Sequence, residues 1–507
     1  EFTSRSYFGR INYAFDSRYL FEVNMRYDGS SRFAPDNRWG LFPSFSAGWR
    51  ISEEKFMKGL PIDNLKLRAS WGKLGNNAIG NYEWQAVYNS AKYAFGGSLN
   101  NGLAITSISN NLLEWESTAI TNIGIDFATL RNRLTFEAEF YNKVTDGILY
   151  RPDMYMSLGT ASGPRQNIAE VTNRGIEMTL NWQDRIGKVE YRVSGNFAYN
   201  QNKVSKYKGE LQRGWVTDEN GNRVYQTNIG DVSTGGSTRV IEGKMINEYY
   251  MLQPYKGNGN GFNADGTVNI NGGPRDGMIR TVDDMKWLNA MVGAGYKFYP
   301  RQNVSKSGIW YGDYIYADLN GDGVYGNDAD NEFQGCSNVP KYNFGLQASV
   351  NWKGFDFSMN WSGAAGFKIY YYRLALNSSA TIKGYAIGEA IANDHYFFDP
   401  KNPNDPRTNL SSKNPRLTNN SGNDQSGMTQ SSVHLQKGDY IKLKNLTIGY
   451  TLPAVLSKKV YAQNIRFFAS GENLFTITGY EGMDPEMRTA VGYSTMRQYA
   501  FGVNITF

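Results

Sequence analysis

The feature that most constrains this chain is a strict two-residue alternation of apolar and polar side chains, repeated over most of its length. Leu134, Phe136, Ala138 and Phe140 share one face, and Thr135, Glu137 and Glu139 share the other. Ile176, Met178, Leu180 and Trp182 alternate with Glu177, Thr179, Asn181 and Gln183, and Phe344, Leu346, Ala348, Val350 and Trp352 alternate with Gly345, Gln347, Ser349 and Asn351. Successive side chains of a strand point to opposite faces, so this period means β-structure with one apolar face. Three features favour a transmembrane barrel over a soluble sandwich. The apolar faces are large and aromatic, with rings near the strand ends, as in interfacial girdles. The strands run to roughly 9–13 residues, the length of a tilted bilayer crossing. Very short connections, such as Asp16-Ser17 and Lys353-Gly354, alternate with long ones.

By this rule the chain is all-β, with about 14 antiparallel strands. They are expected near 7–15, 19–27, 39–51, 64–74, 116–127, 133–145, 174–184, 188–200, 237–252, 342–352, 355–372, 440–451, 464–477 and 496–507. The long connections are 75–112, 146–172, 201–236, 253–341 and 373–439, and loops of such length are usually functional. Within 253–341, Thr281 followed three residues later by Asp284, then Met285, Leu288 and Met291, predicts a capped helix. The 373–439 connection carries an Ala-rich piece near 380–392, then the extended run Asp399-Pro400-Lys401-Asn402-Pro403. The last strand sets Tyr499, Phe501, Val503, Ile505 and Phe507 on one face.

Composition removes several functions. No apolar run approaches the roughly 18 residues of a transmembrane helix. That leaves a barrel as the way to span a membrane, since only helices and closed barrels satisfy their backbone groups in lipid. The single cysteine, Cys336, forms no intrachain disulfide, and the two histidines, His395 and His434, stand far apart in sequence. A net charge of +6 over 507 residues, without a basic cluster, reads as a solvated surface and not a nucleic-acid interface. The N-terminus, Glu1-Phe2-Thr3-Ser4-Arg5, carries no signal-peptide pattern. Glu137 and Glu139 sit on a strand's polar face and read as lumen-wetting residues, not an acid/base pair. No nucleophile–base–orienter set is present, so no enzyme activity is expected.

Local motifs give three candidate sites. Asp318, Asn320 and Asp322, followed by Gly323, match the opening of a calcium loop. Val324 offers a carbonyl, and Asp328 or Asp330 could stand in for the acidic ligand missing at Ala329. The alternative is a bare Asn/Gly/Asp turn, and any calcium would be structural. Tyr396, Phe397 and Phe398, beside His395, form either a loop aromatic cluster or a platform for sugar rings. Asn76, Asn77, Asn81 and Tyr82 in the 75–112 connection are further sugar-contact candidates. Gly257 to Gly261 lacks the Gly-Lys-Ser/Thr of a phosphate loop and reads as flexible loop.

Several segments together resemble the SusC/RagA family of TonB-dependent outer-membrane transporters. They are Arg26-Tyr27-Asp28-Gly29-Ser30-Ser31-Arg32-Phe33-Ala34-Pro35 with Phe42-Pro43-Ser44-Phe45; Leu65-Lys66-Leu67-Arg68-Ala69-Ser70-Trp71-Gly72; Glu170-Val171-Thr172-Asn173-Arg174-Gly175; Gly438-Asp439-Tyr440-Ile441-Lys442-Leu443-Lys444-Asn445; and Glu472-Asn473-Leu474-Phe475 with Gly482-Met483-Asp484-Pro485-Glu486. The resemblance implies a barrel of about 22 strands enclosing a plug. On that reading the signal peptide, the plug, the TonB-contacting segment and about eight strands lie upstream of residue 1. It implies active import with a SusD-like surface lipoprotein, driven by the TonB complex and set in outer-membrane lipid. Oligosaccharide is the leading ligand and oligopeptide the alternative; a passive porin or an adhesin are readings of other classes. If strands are missing, the edges at 7–15 and 496–507 should lack their natural partners.

Overall fold

A computed structural model of the chain describes residues 1–150, 165–207, 211–217, 223–230, 238–239, 242–371, 389–417, 431–488 and 493–507. The alternating segments assemble into one antiparallel sheet of 13 strands in sequence order. These are β1 (Ser4–Phe15), β2 (Tyr19–Ser30), β3 (Trp39–Arg50), β4 (Ile62–Asn76), β5 (Glu116–Thr129), β6 (Leu134–Tyr150) and β7 (Gln166–Ile186). They continue as β8 (Val189–Tyr207), β9 (Tyr342–Trp352), β10 (Phe355–Ala365), β11 (Tyr440–Thr451), β12 (Asn464–Thr478) and β13 (Gln498–Thr506). β1 pairs with β2 alone and β13 with β12 alone, so both edges of the sheet are open, as expected.

Register keeps the apolar set on one face. Tyr13 pairs with Phe21, Val23 with Phe45, and Phe45 with Trp71. At the other end of the sheet, Phe355 pairs with Tyr450, Tyr450 with Phe467, and Phe467 with Val503. Rings gather at both ends of the strands. Trp39 stacks between Tyr7 and Tyr27 at one rim; at the other, Trp352 stacks on Phe355, which meets Tyr450 at a tilt. At this second rim four of the six connections are tight, while 51–61 and 452–463 carry short helices. Asp16 and Ser17 both have positive φ, as do Lys353 and Gly354, which gives the turn a twist that matches its strands. A Cβ on Gly354 would also stand 2.7 Å from the Thr451 carbonyl oxygen, so the position excludes larger residues.

The opposite face is polar and braced by ion pairs. Arg68 on β4 pairs with Asp126 on β5 at 3.0 Å and also reaches Glu139 on β6. Gly124, the residue of β5 between them, makes room: a Cβ there would lie 2.7 Å from Arg68 Cζ. The device recurs at Gly449, where Arg466 of β12 crosses to Asp356 of β10 at 2.5 Å. Glu139 is thus a wall residue on the polar face, in line with its position in the sequence pattern.

Two expectations are corrected. Residues 237–252 are not a barrel strand. Thr238–Arg239 and Glu248–Leu252 pair with each other, and the latter pairs with Asn331–Phe333, in a three-stranded sheet outside the wall. Every residue from Glu248 to Leu252 is buried, which a strand with one face in lipid could not achieve. The segment read as 355–372 ends its barrel pairing at Ala365, and Lys368–Tyr370 turns to pair with Leu435–Lys437. The Ala-rich piece at 380–388 lies outside the described residues, while Glu389–Asn393 is a short helix.

The 253–341 and 373–439 connections are not slack loops. Together they build a layer with the largest apolar core of the described residues, including Trp287, Met291, Phe298, Tyr316 and Tyr396. Its helix, α1 (Val282–Gly293), carries the predicted capping box: Asp284 N–H donates to Thr281 Oγ1 at 3.1 Å, and Thr281 N–H donates to Asp284 Oδ2 at 2.8 Å. A third connection, 75–112, rises as a two-stranded ribbon, Val87–Phe95 with Ser98–Ser107.

Burial in this layer has a pH signature. It pushes the Tyr314 and Tyr325 phenols up to about 12, as burial also does to Tyr249 in the three-stranded sheet. An unfolded tyrosine ionises near about 10, so the stability these phenols contribute is complete below pH ~10 and lost as pH climbs through ~12. Ultraviolet titration of the phenolates should therefore resolve a late-ionising class that coincides with alkaline loss of structure. A single transition near the ordinary tyrosine value would refute this.

Candidate functional site

The two external connections meet through long-range contacts. Arg416 pairs through Nε (2.8 Å) and Nη2 (3.0 Å) with Asp313, which is 2% exposed. Arg280 Nη1 donates to the Leu410 and Ser412 carbonyls at 2.6 and 2.8 Å, and Tyr314 Oη donates to the Lys413 carbonyl at 2.8 Å. Phe397 and Asn409 exchange backbone hydrogen bonds, closing the 398–408 turn.

Between these segments lies a cavity of about 590 Å³. Trp310, Tyr311, Phe397 and Phe398 supply rings; Arg407, Arg416 and Lys306 supply cations; Asn393, Asn409 and Asp399 supply neutral and acidic polar groups. Tyr311 meets Phe398 edge-on at 5.1 Å, and Trp310 meets Tyr311 the same way at 5.2 Å. The Arg407 guanidinium lies 4.6 Å above the Phe397 ring. It is steadied by two bonds to Asp405, at 2.9 and 2.7 Å. Those bonds, with the Arg407 N–H, hold the Asp405 carboxyl down at about 2, so the ion pair persists across any physiological pH. His395 Nδ1 lies 3.0 Å from the Ile391 carbonyl oxygen, which can only accept, so Nδ1 carries a proton.

Of the aromatic run predicted from sequence, Phe397 and Phe398 are half-buried at this cavity. Tyr396 also borders the cavity but is 1% exposed, packed in the layer's core with its hydroxyl donating to the Arg280 carbonyl. Its ring offers no platform. Trp310, Tyr311, Arg407 and Arg416 were missed; the Asp405-Pro406-Arg407 spacing was the visible cue, but nothing local places it against Phe397.

Asn76, Asn77, Asn81 and Tyr82 do not line the cavity. They gather near Arg32, whose Nη1 donates to the Asn77 carbonyl at 2.9 Å and whose Nε donates to Asn81 Oδ1 at 3.3 Å. Asn77 Nδ2 donates to Ser30 Oγ, and Asn76 Nδ2 to Glu116 Oε1, so both side chains tie the connection to the wall. Tyr82 stands exposed, its hydroxyl 3.4 Å from the Glu1 carbonyl oxygen.

The Asp318 loop is a turn laced by its own amides. Asp318 accepts from the Gly321 and Gly323 amides, Asn320 Oδ1 from the Asp322 amide, and Asp322 from the Val324 amide and Asn327 Nδ2. Asp330 is fully buried and takes three amides, from Leu319, Gly326 and Asn327. Asp328 takes part in none of these side-chain bonds. Among the described residues no three acidic, histidine or cysteine side chains converge to hold a metal.

The wall and its external layer are shared with known proteins. Residues 1–474 match the model of the TonB dependent receptor-like, beta-barrel family. The chain is 28% identical over 517 residues to the TonB-dependent receptor SusC of Bacteroides thetaiotaomicron, covering 99% of this chain and 43% of that protein. It is 30% identical over 528 residues to a TonB-dependent receptor of Formosa agariphila, covering 99% of the chain and 46% of the relative. The chain thus spans less than half the length of these curated relatives. In fold it is similar to the solved structure of the RagAB peptide transporter, with a TM-score of 0.72 at 22% identity, over 100% of this chain and 47% of that one. The chain belongs to the TonB dependent receptor-like β-barrel family, outer-membrane proteins that cross the bilayer with strands.

Proposed function

We propose that this chain forms the wall and external layer of a TonB-dependent importer that brings oligosaccharides across the outer membrane. One observation supports this above the others: a separately cored layer at the long-connection rim of the sheet, holding a ring-lined cavity of about 590 Å³. Sugars present apolar C–H faces between hydroxyls. They suit Trp310, Phe397 and Phe398 beside Asn393, Asn409 and Asp399. The likeness to SusC supports a SusD-like lipoprotein partner above the layer and drive from the TonB complex through other parts of the full-length protein. Further strands of the full-length barrel would pair the open edges of β1 and β13, whose unpaired backbone groups cannot face lipid.

In the full-length protein, Trp310→Ala with Phe398→Ala should weaken oligosaccharide binding about tenfold by calorimetry, from lost ring contact. Uptake should stop in cells lacking the TonB motor. Binding of oligopeptides but no oligosaccharide would replace this reading with peptide import, and uptake that survives loss of the motor would replace it with passive diffusion.

A further inference from the structure

The cavity's hydrogen-bonding groups are unequally divided, and this bears on which sugars it takes. The inference rests on the oligosaccharide reading above. Arg407 and Arg416 are held in the same way: each commits its Nε and Nη2 to one aspartate, Asp405 or Asp313. The second nitrogen of Arg416 also serves the Lys306 and Gly308 carbonyls. In both, Nη1 has no partner among the described residues, and both residues line the cavity, Arg416 largely buried and Arg407 largely exposed. Trp310 adds an indole N–H that is likewise unengaged, since only its backbone N–H is bound, to Asp313. Against these donors, Asn409 has both its amide hydrogens and its carbonyl oxygen in use, and Asp399, which takes the Lys401 N–H on Oδ1, is the one carboxylate of the described lining.

The cavity is therefore richer in fixed donors than in acceptors. An arginine whose far edge is clamped by an aspartate loses little rotational freedom when its near edge binds an anion. Its lock over the Phe397 ring sets the guanidinium beside an aromatic face at 4.6 Å. A sugar bearing a carboxylate or sulfate matches this pairing: its ring packs on the aromatic surface and its anionic group receives the free Nη1–H bonds. Asp313 and Asp405 balance the two arginines, so recognition works through directed hydrogen bonds and not through a broad positive field. We propose that this cavity selects anionic glycans, those with uronate or sulfate groups, over their neutral counterparts.

The test uses the full-length protein and charge-matched pairs of probes: an oligogalacturonate against its methyl ester, and a sulfated galactan oligosaccharide against its desulfated form. The anionic member of at least one pair should bind at least about tenfold more tightly by calorimetry, the size expected for a hydrogen bond to a charged group. Arg407→Gln should abolish that preference by weakening the anionic member's binding more than the neutral member's. Arg407→Lys should restore it only in part, because an ammonium lacks the fork. Equal affinity within both pairs, or a preference that survives Arg407→Gln, would overturn the anionic assignment and leave the sugar reading standing. Binding of none of the four sugars, with binding of an oligopeptide, would remove both.

Discussion

Lys442→Met should make the 479–497 connection open to trypsin after Arg488, with a local loss of about 3–5 kcal/mol, the usual cost of stranding buried charge. Lys442 is 1% exposed. Its Nζ donates to Asp484 at 2.7 Å and to Glu486 at 2.8 Å. Tyr440 Oη donates to Glu486, Thr495 Oγ1 donates to Asp484, and Lys444 takes Glu486 from the other side. Lys442 lies on the polar face of β11, opposite Ser362 of β10, so this network draws Asp484 and Glu486 to the polar side of the wall. Removing the ammonium leaves two carboxylates facing one another with little water. Lys442→Arg should keep the segment resistant, and Lys442→Met combined with Asp484→Asn should recover part of the loss. Trypsin resistance unchanged in Lys442→Met would show that the connection is held by something else.

The second large effect is expected at Trp287. It is fully buried, stacks on Tyr255 at 5.2 Å, meets Phe298 edge-on at 6.3 Å, and donates through Nε1 to the Asn269 carbonyl at 2.8 Å. Trp287→Ala should cost the external layer about 3–5 kcal/mol, from lost burial and the cavity left behind. None of the residues in this core belongs to a wall strand, so the loss should stay local. Hydrogen exchange should rise across 255–325 while the wall strands and the heat-dependent mobility of the barrel stay as they are. Exchange spreading into β8 and β9 would show that layer and wall fold as one unit.

The wall was legible in the sequence because its rule is local. A strand with lipid on one side must alternate, and Leu134 to Phe140 shows this with no knowledge of its neighbours. Helix α1 was legible for the same reason, since Thr281 and Asp284 satisfy one another within a single turn. The external layer follows no such period. Its joints are pairs such as Asp313 with Arg416, a hundred residues apart, and no local pattern announces them. Tyr396 shows the ambiguity at one residue, because a ring in a loop reads alike whether it faces a ligand or a core. The Asp318 loop shows it for polar groups. The same Asp and Asn spacing that could surround a cation also lets each side chain accept a nearby amide. The 237–252 segment misled because a run buried on all sides and a strand with a lipid face both contain Tyr, Met and Leu.

The glycines beneath the long ion pairs change how the wall carries load. A ladder of backbone bonds joins only adjacent strands, so a sideways pull can slide one past the next by a register step. Arg68 over Gly124 and Arg466 over Gly449 join strands two apart, about 9–10 Å by the usual spacing. They act as diagonal struts spanning a bay, and shear between any two strands of a braced trio must stretch one. A side chain at either glycine would prop the strut off the wall and leave the ladder to bear the force alone. If a motor pulls on parts housed within such a wall, these gaps of a single missing Cβ are where its rigidity is set.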